Sequence, residues 1–219
     1  MLWGYPYLKM RKNYRSIPEE TVRRLSLYLR TLRFMENKGV RVISSERLTK
    51  HLNITGAQAR KDLTYFGSFG QSGVGYNIHR LREKIEEILG LDRSWSVILV
   101  GCGKLGAALL TYPGFRRFGF RILAAFDNNP VKVGQTIGGV PVIADQKMEG
   151  FIRKNKIKVA IVTVPAEAAQ EIARRLAKSG ISAILNFAPR YLVIPENIRI
   201  KSVDMAMELE SLVYYLTNK

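Results

Sequence analysis

Three glycines near the middle of the chain have the spacing that most clearly suits a chemical task. Gly101, Gly103 and Gly106 fit the pattern G-x-G-x-x-G, between a strand-like apolar run and a helix-like run. In a nucleotide-binding loop the first glycine permits a tight turn, the second lets the backbone approach a pyrophosphate, and the third lets helix pack on strand. The start of the helix offers amide groups to the phosphate. The predicted cofactor-binding residues of this loop are Gly101, Cys102, Gly103, Lys104, Leu105 and Gly106.

An aspartate follows at the distance that such a loop requires. Asp127 lies 21 residues beyond Gly106, at the end of the next apolar run. A carboxylate there accepts hydrogen bonds from ribose hydroxyls and repels a 2′-phosphate, so NADH and NAD+ are the predicted cofactors. Two alternatives stay open, namely a glycine turn that binds nothing and a loop that binds coenzyme A, although Asp127 argues against the latter.

Few residues are candidates for catalysis. The two histidines, His51 and His79, precede the glycine loop, and residues 93–219 suffice for one nucleotide-binding domain without a substrate domain. Hydride-transfer enzymes need a substrate site and usually a general acid or base. We therefore expect no enzyme and no catalytic or metal-binding residues, with a compact NAD-dependent oxidoreductase as the alternative. Cys102, the single cysteine, is interpreted as a small turn residue rather than a redox thiol.

Strands and helices alternate around the glycine loop. Strand-like runs cover residues 96–100, 120–126, 159–164 and 183–187, and helix-like segments cover 104–110, 146–155 and 166–179. This alternation predicts an α/β Rossmann domain, a parallel sheet with helices on both faces. The chain closes with an amphipathic helix whose apolar stripe is Leu209, Leu212, Val213 and Leu216.

Four helices and a glycine-rich hairpin are predicted ahead of this domain, and the fourth helix, after the hairpin, carries Ile78, Leu81, Ile85 and Ile88 at helical spacing. The first helix begins with the capping pattern Ser16 to Glu19 and then carries apolar residues at helical spacing, which are Val22, Leu25, Leu29 and Leu32. The second helix is capped by Ser44 or Ser45 and runs to Leu52, and the third follows a capping box at Thr55 to Gln58. Four glycines between residues 67 and 75 predict a hairpin. This order is typical of a winged helix-turn-helix domain.

The third helix is the predicted recognition helix. Ala59, Leu63 and Phe66 form its core face, which leaves small, amide and cationic side chains on the other face. Such side chains suit base edges and phosphates in a major groove, and the hairpin suits a minor-groove wing. The predicted DNA-binding residues are Ser44, Ser45, Ala57, Gln58, Arg60, Lys61, Thr64, Tyr65, Gly73, Gly75 and Tyr76. The alternative is a small helical domain with a solvated basic face.

Charge favours a polyanionic partner for the N-terminal part. The net charge is +17, and residues 1–82 hold 16 Lys and Arg against 5 Asp and Glu. With one cysteine and no apolar run of about 18 residues, the sequence predicts a cytoplasmic protein without a membrane span.

These segments together resemble the Rex family of bacterial redox-sensing transcriptional repressors, from about Ile17 onward. The resemblance rests on residues 59–67, 73–76, 100–106, 112–115, 163–165, 186–189 and 203–204. It implies a homodimer that binds double-stranded operator DNA, an A/T-rich inverted repeat. It also implies that NADH releases the repressor, that NAD+ competes without releasing it well, and that the last helix is exchanged between subunits.

The resemblance adds residues that the spacing arguments do not connect. Further cofactor-binding residues on this basis are Tyr112, Thr163, Val164, Pro165, Asn186, Phe187 and Ala188. A polar switch across the dimer is implied for Arg30, Tyr112 and Asp204, although Asp204 taken alone suits a helix cap and Arg30 a solvated charge. The expected fold is thus an N-terminal tail (1–16), a winged helix-turn-helix DNA-binding domain (17–92), a Rossmann domain (93–203) and a C-terminal domain-swapped helix (204–219).

Overall fold

The computed structural model describes residues 17–71 and 73–217, and they form two compact units that divide between Arg93 and Ser94. The predicted helix start at Ser16 lies outside the described residues. Among those described, no helix is long and apolar enough to cross a membrane.

The N-terminal unit consists of four helices and a small sheet. Its elements are α1 (Glu19–Asn37), β1 (Val42–Ile43), α2 (Ser45–Thr49), α3 (Gly56–Thr64), β2 (Gly70–Gln71), β3 (Gly75–Asn77) and α4 (Ile78–Leu89). The sheet has the order β1-β3-β2 with antiparallel pairing, so the glycine-rich segment is a hairpin as predicted.

Packing of α1 departs from the predicted stripe at one position. Leu25, Leu29 and Leu32 are buried, but Val22 is 41% exposed. Tyr28, which is fully buried, lies on the core face, because α1 packs against both α3 and α4 and needs a wider apolar surface than one narrow stripe.

The helix-turn-helix follows the predicted order with shorter elements. Thr55 caps α3 by accepting a 3.1 Å hydrogen bond from the Gln58 amide, as predicted, and Ala59, Leu63 and Phe66 are buried. The reciprocal half of the capping box is absent, because the Gln58 side chain donates to Asp62 instead. The second helix ends at Thr49 rather than at Leu52.

The C-terminal unit is a seven-stranded sheet with helices on its connections. Its strands are β4 (Trp95–Val100), β5 (Phe120–Asp127), β6 (Thr136–Ile137), β7 (Val140–Ala144), β8 (Val159–Val162), β9 (Ala183–Asn186) and β10 (Arg199–Ser202). Its helices are α5 (Lys104–Thr111), α6 (Pro113–Arg117), α7 (Met148–Asn155), α8 (Ala166–Ser179) and α9 (Met205–Thr217). The order β10-β9-β8-β4-β5-β7-β6 is parallel except for β6, as in a doubly wound Rossmann sheet.

Four elements of the C-terminal unit were not predicted, namely the strands β6, β7 and β10 and the short helix α6. Strand β7 contains the exposed Pro141, and β10 is a polar edge strand, so neither has the apolar run of a central strand. The central strands β4 and β8 meet where the strand order reverses, which is where open α/β sheets bind ligands.

Helix α9 has no buried residue. Leu209, Leu212, Val213 and Leu216, the predicted apolar stripe, are 53–68% exposed. An apolar stripe of this length on a helix without a buried face calls for a covering partner.

Candidate nucleic-acid interface and cofactor cleft

A groove of about 600 Å³ runs between α3, which is the predicted recognition helix, the start of α2 and the β2–β3 hairpin, which is the predicted wing. The structure brings together here seven of the predicted DNA-binding residues, namely Ser44, Ser45, Arg60, Thr64, Gly73, Gly75 and Tyr76. Glu46 and Val74, which the sequence analysis missed, also line it. Val74 is 61% exposed at the tip of the hairpin, and an apolar residue between two glycines is the signal that could have found it.

The predicted DNA-binding residues differ in exposure. Ala57, Lys61, Thr64 and Tyr65 are exposed on the outer face of α3, and Gln58 is half-buried. Ser45 and Tyr76 are buried, so their placement does not support direct contact with DNA. The reason is packing, since Ser45 begins α2 on its inner side and Tyr76 belongs to the apolar core below the wing.

Arg60 is held by its neighbours across the helix-turn-helix. Its Nη1 donates to the hydroxyl of Ser45 and, at 2.6 Å, to Oε1 of Glu46. The Arg60 guanidinium lowers the pKa of Glu46 to about 2, so this partner stays ionised at neutral pH. To contact a DNA base, Arg60 must first leave its ion pair with Glu46. The Lys61 side chain, in contrast, has no ion pair or hydrogen bond among the described residues.

A second cleft, of about 530 Å³, lies beside the glycine loop in the C-terminal unit. Gly101, with φ of +99°, turns the chain after β4, and a Cβ there would lie 2.8 Å from the Thr163 carbonyl. A Cβ on Gly106 would lie 2.0 Å from the Gly101 carbonyl oxygen, so only glycine lets α5 sit against the loop. A Cβ on Gly103 would meet nothing within 4 Å, so this backbone is open to a ligand, as its predicted role requires.

Asp127 borders the same cleft but is already engaged by backbone. Its Oδ2 accepts from the Cys102 amide at 2.7 Å and its Oδ1 from the Asn129 amide at 2.8 Å. Burial alone would raise the pKa of Asp127, but these two amides and Lys132 outweigh it and hold the pKa below its ordinary value. The carboxylate therefore fixes the glycine loop at the edge of the cleft.

Lys132 was missed by the sequence analysis. Its Nζ lies 3.3 Å from Oδ2 of Asp127, and it lines the cleft together with Asn128 and Asn129. Its only signal in the sequence is a lysine five residues after the strand-terminal aspartate. Cys102, in contrast, is buried, and burial together with Asp127 raises the pKa of its thiol to about 11, which supports a small turn residue rather than a reactive one.

Only some of the remaining predicted cofactor-binding residues line this cleft. Lys104, Leu105, Thr163, Val164 and Pro165 line the cleft, and the Thr163 hydroxyl donates to the Gly101 carbonyl at 2.6 Å. The second group follows the neighbouring strand β9, where the Phe187 amide donates to the Val162 carbonyl at 2.8 Å, but its residues do not line the cleft. Asn186 and Ala188 are buried, Phe187 is half-buried, and the Asn186 amide bonds to the backbone of the loop after β9.

Tyr112 does not line the glycine cleft. It ends α5, about 12 Å along the helix axis from Lys104, and opens onto a separate depression with Phe115, against which its ring packs edge-on. Asp204 caps α9 by accepting from the Ala206 amide at 2.9 Å, and Arg30 is exposed on α1. The cap is the role that Asp204 taken alone suits.

Two family models match separate parts of the chain. The model "Putative DNA-binding protein N-terminus" matches residues 16–64, and the model "CoA binding domain" matches residues 92–190. The matched parts coincide with the helix-turn-helix and with the glycine-loop sheet.

Whole-length relatives decide the family. A redox-sensing transcriptional repressor Rex from Roseiflexus sp. (strain RS-1) is 45% identical, over 91% of this chain and 90% of its own. The chain belongs to the Rex family of redox-sensing transcriptional repressors. Crystal structures of RSP, a Rex-family repressor, match as well. Its complex with β-NAD+ and operator DNA gives a TM-score of 0.87 at 38% identity, over 91% of this chain and 92% of RSP. Its complex with β-NADH gives 0.83 at 35%, over 92% and 94%.

Family membership settles the class of protein. Rex proteins are named as repressors and not as enzymes, which removes the oxidoreductase alternative for this chain. The coenzyme A model describes the same sheet, whereas the cofactors in the RSP complexes are β-NAD+ and β-NADH.

Proposed function

We propose that this chain is a transcriptional repressor that binds operator DNA through its N-terminal unit and leaves it when NADH binds the Rossmann cleft. The observation that carries the proposal is that one Rex-family chain holds both a winged helix-turn-helix and a glycine-loop cleft with a carboxylate at its edge. The ligands of RSP support the pairing of these two sites.

The outer face of α3 enters the major groove in this proposal. Lys61, Thr64 and Tyr65 are the exposed side chains for base edges and phosphates, and Ala57 is small enough for a thymine methyl. The wing tip, residues 73–75, lies in the adjacent minor groove, where an A/T-rich operator is narrow.

The cofactor lies across the end of β4. Its pyrophosphate meets the backbone at Gly103 and the start of α5, and its adenine ribose meets Asp127. NADH and NAD+ occupy the same cleft, and the nicotinamide lies toward Tyr112 and Phe187.

A homodimer in the cytoplasm completes the proposal, with an inverted repeat as its target. The exposed stripe of α9 is covered by a second copy of the chain, because four apolar side chains at more than half exposure need an apolar partner. Deletion of residues 205–219 is expected to give monomers or aggregates by sedimentation, and a truncated chain that stays a stable dimer would refute the exchange.

The antagonism between DNA and NADH is a coupling free energy of about 1–3 kcal/mol, and it is reciprocal. Asp204 pairs with Arg30 of the other subunit when DNA is bound and turns toward Tyr112 when NADH is bound. Arg30→Ala then weakens operator binding, and Tyr112→Phe blunts release by NADH. Two variants that keep the wild-type ratio of operator affinities with and without NADH would remove this triad from the switch.

The decisive experiment is a mobility shift on an A/T-rich inverted-repeat operator at fixed salt. We expect a specific complex that NADH dissociates and that NAD+ leaves largely intact. A chain that binds operator and random DNA equally well, or whose operator complex ignores NADH, would contradict the proposal.

A further inference from the structure

We infer that Asp62 is the positioning residue of the recognition helix, because its carboxylate fixes the rotation of α3 against α1 and so decides which side chains face the operator. This inference rests on the proposed operator binding. Asp62 itself is fully buried and does not touch DNA.

Five hydrogen bonds converge on this one carboxylate. Arg24 donates two of them, from Nε to Oδ2 at 2.6 Å and from Nη2 to Oδ1 at 2.8 Å. The Tyr28 hydroxyl donates to Oδ2 at 2.8 Å and the Thr21 hydroxyl to Oδ1 at 3.2 Å. All three donors belong to α1, and the Gln58 amide of α3 adds a fifth bond at 2.8 Å.

These bonds keep the carboxylate charged although it is buried. Burial would raise the pKa of Asp62, but the donors Arg24, Tyr28 and Gln58 outweigh it and leave the pKa below its ordinary value. The matching effect on Tyr28 is a raised pKa, caused by burial and then by Asp62. The cluster is therefore satisfied, and it is directional in a way that apolar packing is not.

Direction matters because apolar contacts alone leave the helix free to rotate. Ala59, Leu63 and Phe66 resist separation of α3 from the core, but burial is nearly indifferent to small rotations about the helix axis. A rotation of about 20° moves a side-chain tip roughly 6 Å from the axis by about 2 Å. Such a shift is enough to break a hydrogen bond to a base edge.

The chain offers a matched control in Glu86. Its carboxylate receives Arg33 of α1 at 2.9 Å and Arg82 of α4 at 2.7 Å, so it ties α1 to α4 and not to α3. Glu86→Gln and Asp62→Asn are the same change, carboxylate to amide of equal size, and both remove ion pairs from α1. Only the second of them frees the recognition helix.

The experiment measures the affinity of the full-length chain for operator and for random-sequence DNA of equal length at one salt concentration. For Asp62→Asn we expect the ratio of the two affinities to fall by about tenfold or more, as loss of a base contact does. Affinity for random DNA should change little, because phosphate contacts do not depend on sequence. For Glu86→Gln we expect a lower melting temperature and the wild-type ratio.

Arg24→Gln provides a test that leaves the sequence of α3 intact, and it replaces Asp62→Asn if that variant does not fold. Loss of a phosphate contact by Arg24 would weaken all DNA alike, so a fall in the ratio reports positioning. A wild-type ratio in Arg24→Gln or in folded Asp62→Asn, or an equal fall in Glu86→Gln, would overturn the inference. A wild-type chain without operator preference would instead count against the proposed function.

Discussion

Two buried aspartates show how differently the two units are built. Asp62 in the N-terminal unit and Asp127 in the C-terminal unit are both buried, and both have a pKa below the ordinary value although burial opposes this. The donors to Asp62 are mainly side chains on a helix 34–41 residues earlier in the chain. The donors to Asp127 are chiefly backbone amides of the glycine loop and of the following turn.

The difference indicates where each unit stores its specificity. In the N-terminal unit, specificity depends on the orientation of side chains, which the buried carboxylate of Asp62 can fix. In the cofactor cleft, specificity depends on the conformation of the backbone, which the carboxylate of Asp127 stabilises through hydrogen bonds. Loss of a side chain around Asp62 should therefore damage operator recognition, and addition of a Cβ in the glycine loop should damage cofactor binding.

Gly106→Ala is the strongest test of the second half of this comparison. Its Cβ would lie 2.0 Å from a carbonyl oxygen, so the loop must move. We expect strain of roughly 3 kcal/mol or more and NADH affinity lower by more than about 100-fold in calorimetry. Operator binding without cofactor should persist. The control is Gly150→Ala, where a Cβ meets nothing within 4 Å and NADH affinity should be unchanged.

Lys61→Ala tests the part of this comparison that concerns DNA recognition by side chains. The side chain is exposed on the outer face of α3, and its removal should weaken operator binding by about 1–3 kcal/mol. Lys84→Ala is the control, since it removes the same charge from α4, where Lys84 pairs with Glu87 at 2.7 Å. Equal losses in the two variants would mean that net charge, and not the recognition helix, holds the DNA.

Acid should affect both carboxylates in the same direction. An aspartate whose pKa is lower in the folded state than in the unfolded state stabilises the fold at pH values above its ordinary pKa of about 3.9. This stabilisation is lost as the pH falls through the pKa of the folded state. Asp62→Asn and Asp127→Asn should each flatten the pH dependence of the unfolding free energy below about pH 4, measured with urea. Asp92→Asn, at an exposed site, is the control and should follow wild type.

Lys132 gives the smallest expected effect. Its ammonium partly offsets the Asp127 charge where the proposed adenine ribose would lie. Lys132→Ala should therefore raise the preference for NADH over NADPH by only a few-fold, about 1 kcal/mol or less for a partly exposed pair. Calorimetry of both cofactors measures the ratio, and a ratio that falls would reverse the role given to Lys132.

Much of the fold was predictable because it depends on local spacing. The glycine loop, the four central strands, the capped recognition helix and its core face at Ala59, Leu63 and Phe66 follow from patterns within about ten residues. Strand β7 escaped prediction because Pro141, which pairs with the edge strand β6, shortens its apolar run, and β10 escaped prediction because it is a polar edge strand.

The sequence by itself determined the class of each unit, since periodicity, glycine spacing and charge are local or additive properties. Only the tertiary structure decided the direction of the polar side chains. It buries Ser45 and Tyr76, ties Arg60 to Glu46, and gathers Thr21, Arg24 and Tyr28 around Asp62. These partners lie 14 to 41 residues apart in the chain, and no local pattern records which distant side chain will face a buried carboxylate.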